Sequence, residues 1–171
     1  MMADPRLGPL YQIRIRREDF VRRDDWQCVK RLGGGAAYYA MTDLVIQALR
    51  LLPTPPIQMW SELKRIASLG DSEDYAHVNL RTRETISADI EFSGGALPGL
   101  HAPSFELRGE RGVFRVEAGA SEGTLTAIDP KFTFPRRRSS VRTPAIRDLH
   151  ETFPLVTETV ALPKDTAHGP T

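Results

Sequence analysis

The fold class predicted is α+β, an open and mostly antiparallel β-sheet with one main helix packed on one face. Three observations carry it. Apolar and polar residues alternate along several short runs, as in half-buried strands. Only one long segment has helical periodicity, about Ala36 to Leu52, and Pro53 ends it, with Pro55 and Pro56 barring continuation. Tight turn signals then separate run after run, which favours antiparallel pairing over β-α-β crossovers.

The first strand is read at Leu10–Arg17, with Tyr11, Ile13 and Ile15 on one face and Gln12, Arg14 and Arg16 on the other. A charged loop, Glu18 to Asp25, precedes the glycines Gly33, Gly34 and Gly35 and the helix. Ile57–Ile66 reads as the next strand. Ala76, Val78 and Leu80 alternate with Tyr75, His77 and Asn79, and Ile86, Ala88, Ile90 and Phe92 with Ser87, Asp89 and Glu91. The turn Thr82-Arg83-Glu84 makes these two runs a hairpin. Further strands follow at Ser104–Leu107, Val113–Val116 and Thr124–Ile128, between Gly109-Glu110-Arg111-Gly112, Gly123 and Asp129-Pro130. The expected total is roughly six to eight strands. Lys131–His150, poor in apolar residues, reads as a long excursion, and Thr166–Thr171 as a frayed end.

Two faces of this layout bear on function. The helix carries an apolar stripe, Ala37, Met41, Leu44, Val45, Ala48 and Leu52, directed at the sheet. Tyr39, Asp43 and Gln47 follow at i, i+4 and i+8 on another face, which is either solvated or the lining of a polar pocket. The far face of the sheet, with Thr85, Ser87, Asp89, Glu91, Gln12, Arg14 and Arg16, is mixed, so it is wet or meets a polar partner surface. The glycine run matches neither the dinucleotide nor the phosphate-loop pattern, and close backbone packing is the role assigned to it over an anion cradle.

Composition excludes other classes. The 171 residues form one domain by the length prior, 40% hydrophobic and 26% charged, with net charge +1. That balance offers no field for nucleic acid or an anionic membrane, and the Arg136-Arg137-Arg138 run has no interleaved aromatics. No apolar run approaches the roughly 20 residues that span a bilayer, and the first residues lack the apolar stretch of a secretory leader. The single Cys28 fits a reducing compartment, so a soluble cytoplasmic protein is expected. His77, His101, His150 and His168 show no metal-ligand spacing, and no metal site is expected.

Arg22-Arg23-Asp24-Asp25-Trp26-Gln27, running through Gly33-Gly34-Gly35 into the helix, resembles the start of the C-terminal domain in the glucose–fructose oxidoreductase / inositol dehydrogenase / rhizopine-catabolism family, Gfo/Idh/MocA. Ile57–Arg65, Glu73-Asp74-Tyr75-Ala76, Ser104–Gly109 with Gly112, and Phe153–Glu158 each resemble its successive sheet segments, so the likeness extends over most of residues 10–163. The resemblance implies a large open sheet that walls one side of a sugar site and forms an oligomer interface by its outer face. It also implies an NAD- or NADP-binding Rossmann domain with the catalytic lysine of a Glu-Lys-Pro motif. Neither lies within these residues, so the chain alone is expected to bind no cofactor.

Aligned on the glycines, the family's aspartate or asparagine position is Tyr39, its histidine position is Asp43, and a further acidic position is Ile46. An imidazole passes protons near neutral pH; an aspartate is ordinarily ionised and a poor donor. Tyr39 and Asp43 are thus altered catalytic positions, and Trp26, Lys30 and Gln47 are the candidate substrate-binding residues. Three expectations follow: a substrate-side domain of a sugar or polyol oxidoreductase inactive alone, a non-catalytic carbohydrate-binding or dimerisation module, or one half of a split dehydrogenase. A homodimer through the sheet face is expected with any of them.

Overall fold

A computed structural model describes residues 4–133 and 154–162. Most of the expected excursion, the Arg136–Arg138 run, Phe153 and the carboxyl-terminal end lie outside these residues. The described residues form one sheet of eight strands: β1 (Leu10–Glu18), β2 (Gln58–Lys64), β3 (Tyr75–Arg81), β4 (Ser87–Ser93), β5 (Phe105–Gly109), β6 (Gly112–Val116), β7 (Glu122–Ile128) and β8 (Leu155–Ala161). Their order across the sheet is β2-β3-β4-β1-β5-β6-β7-β8. Every pairing is antiparallel except β1 with β4. The expected class therefore holds. The parallel pair lies where β1 sits between β4 and β5, running in the same direction as β4 and opposite to β5.

Register decides which residues share the inner face. Ile13 and Ile15 lie opposite Ala88 and Ile90 on one side, and opposite Leu107 and Phe105 on the other. Leu107 in turn faces Phe114, and Phe114 faces Leu125. Most of this row is fully buried, with Ala76, Leu80 and Phe92 extending it. Tyr11 departs from the expected alternation. The β1/β5 register shifts between Leu10 and Gln12, and the ring stands in solvent.

The expected single helix is two, α1 (Ala36–Tyr39) and α2 (Met41–Leu51), broken at Ala40 with φ −118° and ψ −48°. Thr42 Oγ1 donates to the carbonyl of Tyr38 at 3.0 Å, and this side-chain bond to the preceding turn bends the axis. The apolar stripe survives the break: Met41, Leu44, Ala48 and Leu52 are buried, with Ala36 and Ala40 taking the place expected for Ala37.

The helices cover only the β3-β4-β1 half of the sheet. Over β5 and β6 the cover is the amino-terminal turn, whose Leu7 is wholly buried. Its carbonyl accepts from Arg111 N at 2.9 Å, and Pro9 O accepts from Glu110 N at 3.0 Å. Burial of such a leucine contributes about 2 kcal/mol.

The outer face is a connected polar row. Trp60 meets His77 edge to face at 5.3 Å, and His77 Nε2 lies 2.5 Å from Asp89 Oδ1. Arg14 spans Asp89 (3.9 Å) and Glu106 (3.6 Å), and Arg16 approaches Glu91 at 3.7 Å. Glu106 also accepts from Arg108 (2.5 Å) and Arg115 (3.2 Å). Thr85, expected on this face, sits instead in the hairpin turn with φ 67°.

Candidate functional site

The segment ahead of the helix is built by two single-turn 3-10 helices, Trp26–Cys28 and Lys30–Leu32. Asp25 caps the first by accepting from Gln27 N at 2.8 Å. Gly33 ends the second in the left-handed region, φ 81°. The next two glycines are demanded by contact. A Cβ on Gly34 would fall 2.6 Å from the Trp26 carbonyl oxygen and closer still to that of Gln27. At Gly35, with φ 126°, it would run into the Glu73 carboxylate.

These contacts settle how the glycine run is used. Gly33 N donates to Lys30 O (2.9 Å), Gly34 N to Val29 O (3.1 Å), Gly35 N to Gln27 O (2.9 Å) and Ala36 N to Glu73 O (2.9 Å). Ala37 N points at Glu73 Oε1 at 3.4 Å. Every N–H that an anion cradle would present is already engaged, and a carboxylate of the chain occupies the helix start. The run is a packing device, as expected.

The loop before β3 is fastened to the same place. Ser72 Oγ donates to Gln27 O at 2.9 Å, Ser72 N to Cys28 O at 3.1 Å, and Lys30 N to Asp71 Oδ1 at 2.8 Å. The buried Asp74 carboxylate accepts from Ile66 N (2.6 Å) and Ala67 N (2.7 Å).

Tyr39 is half-buried at this junction, edge-on to Phe92 at 5.5 Å, with the Arg23 guanidinium 5.4 Å from its ring centroid. Burial pushes its phenol up, and the positive charge of Arg23 only partly offsets that. The phenol is therefore a donor at neutral pH and no base. The space among Arg23, Gln27, Tyr39, Ser72 and Glu73 is about 10 Å³, room for one water and no sugar.

The other candidates stand apart from this junction. Asp43 and Gln47 are exposed on α2, beyond the break at Ala40, and Asp43 favours the helix by its place in the first turn. Trp26 and Lys30 are exposed on the 3-10 turns. Sequence reasoning missed Arg23 and Glu73, which hold Tyr39 and the helix start. The residues Glu73-Asp74 were visible only as the lead-in to a strand, and nothing local shows that they cross to the glycines. Among the described residues no cluster of His, Cys, Asp and Glu could hold a metal, and no helix is long and apolar enough to cross a membrane.

The architecture has known counterparts. An NAD-binding protein from Listeria innocua is similar over 92% of this chain and 45% of its own, at 17% identity and a TM-score of 0.66. The WlbA dehydrogenase from Bordetella pertussis, in complex with NADH and UDP-GlcNAcA, is similar over 65% of this chain and 36% of its own, at 19% identity and a TM-score of 0.52. A levoglucosan dehydrogenase in complex with NADH and levoglucosan is similar over 74% and 38%, at 16% identity and a TM-score of 0.62. At these identities the likeness establishes the fold, and the chain spans less than half the length of each of these proteins. No curated protein matches. The family model described as the GFO/IDH/MocA C-terminal domain matches residues 1–115. On that match, over about two thirds of its length, the chain belongs to the GFO/IDH/MocA C-terminal domain family.

Proposed function

We propose that this chain is the substrate-side and assembly domain of an NAD(P)-dependent sugar or polyol oxidoreductase, inactive until a nucleotide-binding domain is joined to it or supplied by another chain. The observation that carries the reading is the saturated glycine turn. The one glycine-rich helix start among the described residues has no N–H left for a pyrophosphate, and Glu73 would repel one. The solved proteins of this fold named as binding NAD or NADH are more than twice as long as the part this chain matches. When bound in a complete protein, the nicotinamide would supply hydride transfer.

On this reading the chain's own residues bind and orient. Trp26, Lys30, Asp43 and Gln47, each exposed, are the residues offered to a sugar. Tyr39 serves as a packed element, held by Arg23 and Phe92. The pair Tyr39 and Asp43 replaces an acid–histidine pair, which supports loss of proton transfer at this helix. The lone, buried Cys28 favours a cytoplasmic setting. The outer face, with its rows of opposite charges, is suited to a homodimer packed face to face by two-fold symmetry. A strict monomer at high concentration would exclude that assembly.

Calorimetric titration of the purified chain with NADH and, separately, NADPH tests the central claim. No heat is expected with either. Micromolar binding of one of them would reveal a nucleotide site within the chain and withdraw the reading.

A further inference from the structure

Among the described residues the two edge strands of the sheet, β2 and β8, each pair on one side only, and they differ in a way that points to a partner. β2 pairs on one side with β3 through an unbroken seven-residue register, and among the described residues nothing pairs with its other side. Exposed edges of this length are usually blunted by a proline, a bulge or an outward lysine. β2 has no proline and no bulge, and its single lysine, Lys64, folds back on its own chain. Lys64 Nζ lies 2.9 Å from Glu62 and 5.5 Å from the Tyr75 ring. The strand instead shows apolar surface on both faces: Met59 is 71% exposed, Trp60 53% and Leu63 51%.

We propose that β2 is an interface with a second copy of this chain, the two β2 strands pairing antiparallel about a two-fold axis at Ser61. The chemistry of the strand is self-complementary in that register. Met59 falls opposite the partner subunit's Leu63, and Trp60 opposite the partner subunit's Glu62, where the indole N–H meets a carboxylate. Gln58 falls opposite the partner subunit's Lys64, and the small Ser61 faces its own copy. No like charges oppose one another, and all seven residues pair. Centring on Glu62 would set that carboxylate against itself, and centring on Trp60 or Leu63 would shorten the ladder. Met59 and Leu63 lie on the side of Leu80 and Ala76, so the pairing continues the inner apolar face across the axis.

The opposite edge does not serve. Self-pairing of β8 about its centre brings Glu158 against Glu158, and that carboxylate is already engaged by Arg6. Pairing of β2 with β8 of another copy is heterologous and would give a ring or a filament, not a two-fold dimer. The β2 pairing closes into one continuous sheet of twice the eight strands of the monomer.

Light scattering and sedimentation of the full chain test this with Ser61→Glu, an exposed position whose change leaves each monomer's contacts alone. The variant is expected to have half the mass of the wild type, with association weakened at least about tenfold by like charges on the axis. Ser61→Lys should behave alike, and mixing the two variants should restore the larger species. Directly opposed residues sit about 4.5–5.5 Å apart at Cα, within disulfide reach. Oxidised Ser61→Cys should therefore become a covalent dimer, whereas Glu158→Cys should not. A monomeric wild type, a Ser61→Glu variant of unchanged mass, or a Ser61→Cys variant that stays single would each overturn the proposal. Face-to-face association is read separately: if it also forms, Ser61→Glu takes a tetramer to a dimer, and if it does not, a dimer to a monomer.

Discussion

Replacing Glu106 with leucine is expected to cost about 3 kcal/mol of unfolding free energy, among the largest effects of any single change on the outer face. Its side chain is 2% exposed and is the shared partner of three guanidiniums, those of Arg14, Arg108 and Arg115. Removing it takes away the carboxylate that all three share, leaving Arg14 only Asp89 and Arg115 only Glu117 among the described residues, each at 3.9 Å. Breaking a fully buried pair costs about 3–5 kcal/mol. The lower end applies here, because Arg108 and Arg115 are 31% and 48% exposed and can regain water. Arg14 has less relief. Its buried Nε has no hydrogen-bond partner among the described residues. Adding Arg14→Met to Glu106→Leu should therefore recover part of the loss, a coupling that urea denaturation of the four-member cycle measures directly. A Glu106→Leu variant within about 0.5 kcal/mol of wild type would mean that the row is solvated and carries no such role.

The same carboxylate sets an acid dependence. Burial pushes the Glu106 carboxyl up, but the Arg108 and Arg115 guanidiniums outweigh it and hold it below its ordinary value of 4.5. A carboxyl depressed in the folded state stabilises the fold at all pH above its unfolded value, and that contribution is lost as pH falls through the folded value. Asp4 acts in the same direction, since its bonds to Arg6 lower it from 3.8 to about 2. Stability should accordingly decline below pH 4.5, and Glu106→Gln should flatten that part of the curve while lowering the plateau above it.

Gly34→Ala is expected to cost about 3 kcal/mol, against about 1 kcal/mol for Gly33→Ala next door. The contrast separates two reasons for a glycine. At Gly33 a Cβ meets nothing within 4 Å, so the penalty is the left-handed backbone alone, and Gly33→Asn should be milder still. At Gly34 the added carbon strikes the carbonyls of Trp26 and Gln27. Neither can yield cheaply, because Trp26 O accepts from Val29 N while Gln27 O accepts from both Gly35 N and Ser72 Oγ. Relief would require the Trp26–Leu32 turns to move off the loop before β3, displacing Trp26 and Lys30, two of the residues proposed to meet a sugar. Thermal denaturation of the two variants is the check. Equal losses would mean that the glycines serve flexibility and that the close approach has no energetic consequence.

Much of the architecture could be read from spacing alone. Alternation in Tyr75–Leu80 and Ile86–Phe92 placed two strands and their hairpin, and Pro53 stopped the helix where it ends. What escaped is instructive. Tyr39 and Asp43, four apart, were expected on one face, but the Thr42 hydroxyl bonds back to Tyr38 and bends the segment at Ala40. Tyr39 is consequently tucked against Phe92 while Asp43 stands in water. Leu7, ahead of the first expected strand, is wholly buried over β5 and β6, and Tyr11 leaves its apolar row at a bulge.

The division has a physical basis. Side-chain period, proline stops and glycine turns act over a few residues, so strand and helix positions and the family pattern are written locally in the chain. The place of β1 between β4 and β5, the burial of Glu106 among three arginines, and the sealing of the glycine N–H groups by Glu73 join residues that stand tens of positions apart. Pair energies of that kind depend on which strands become neighbours, and strand order emerges only when the whole sheet has closed around its core.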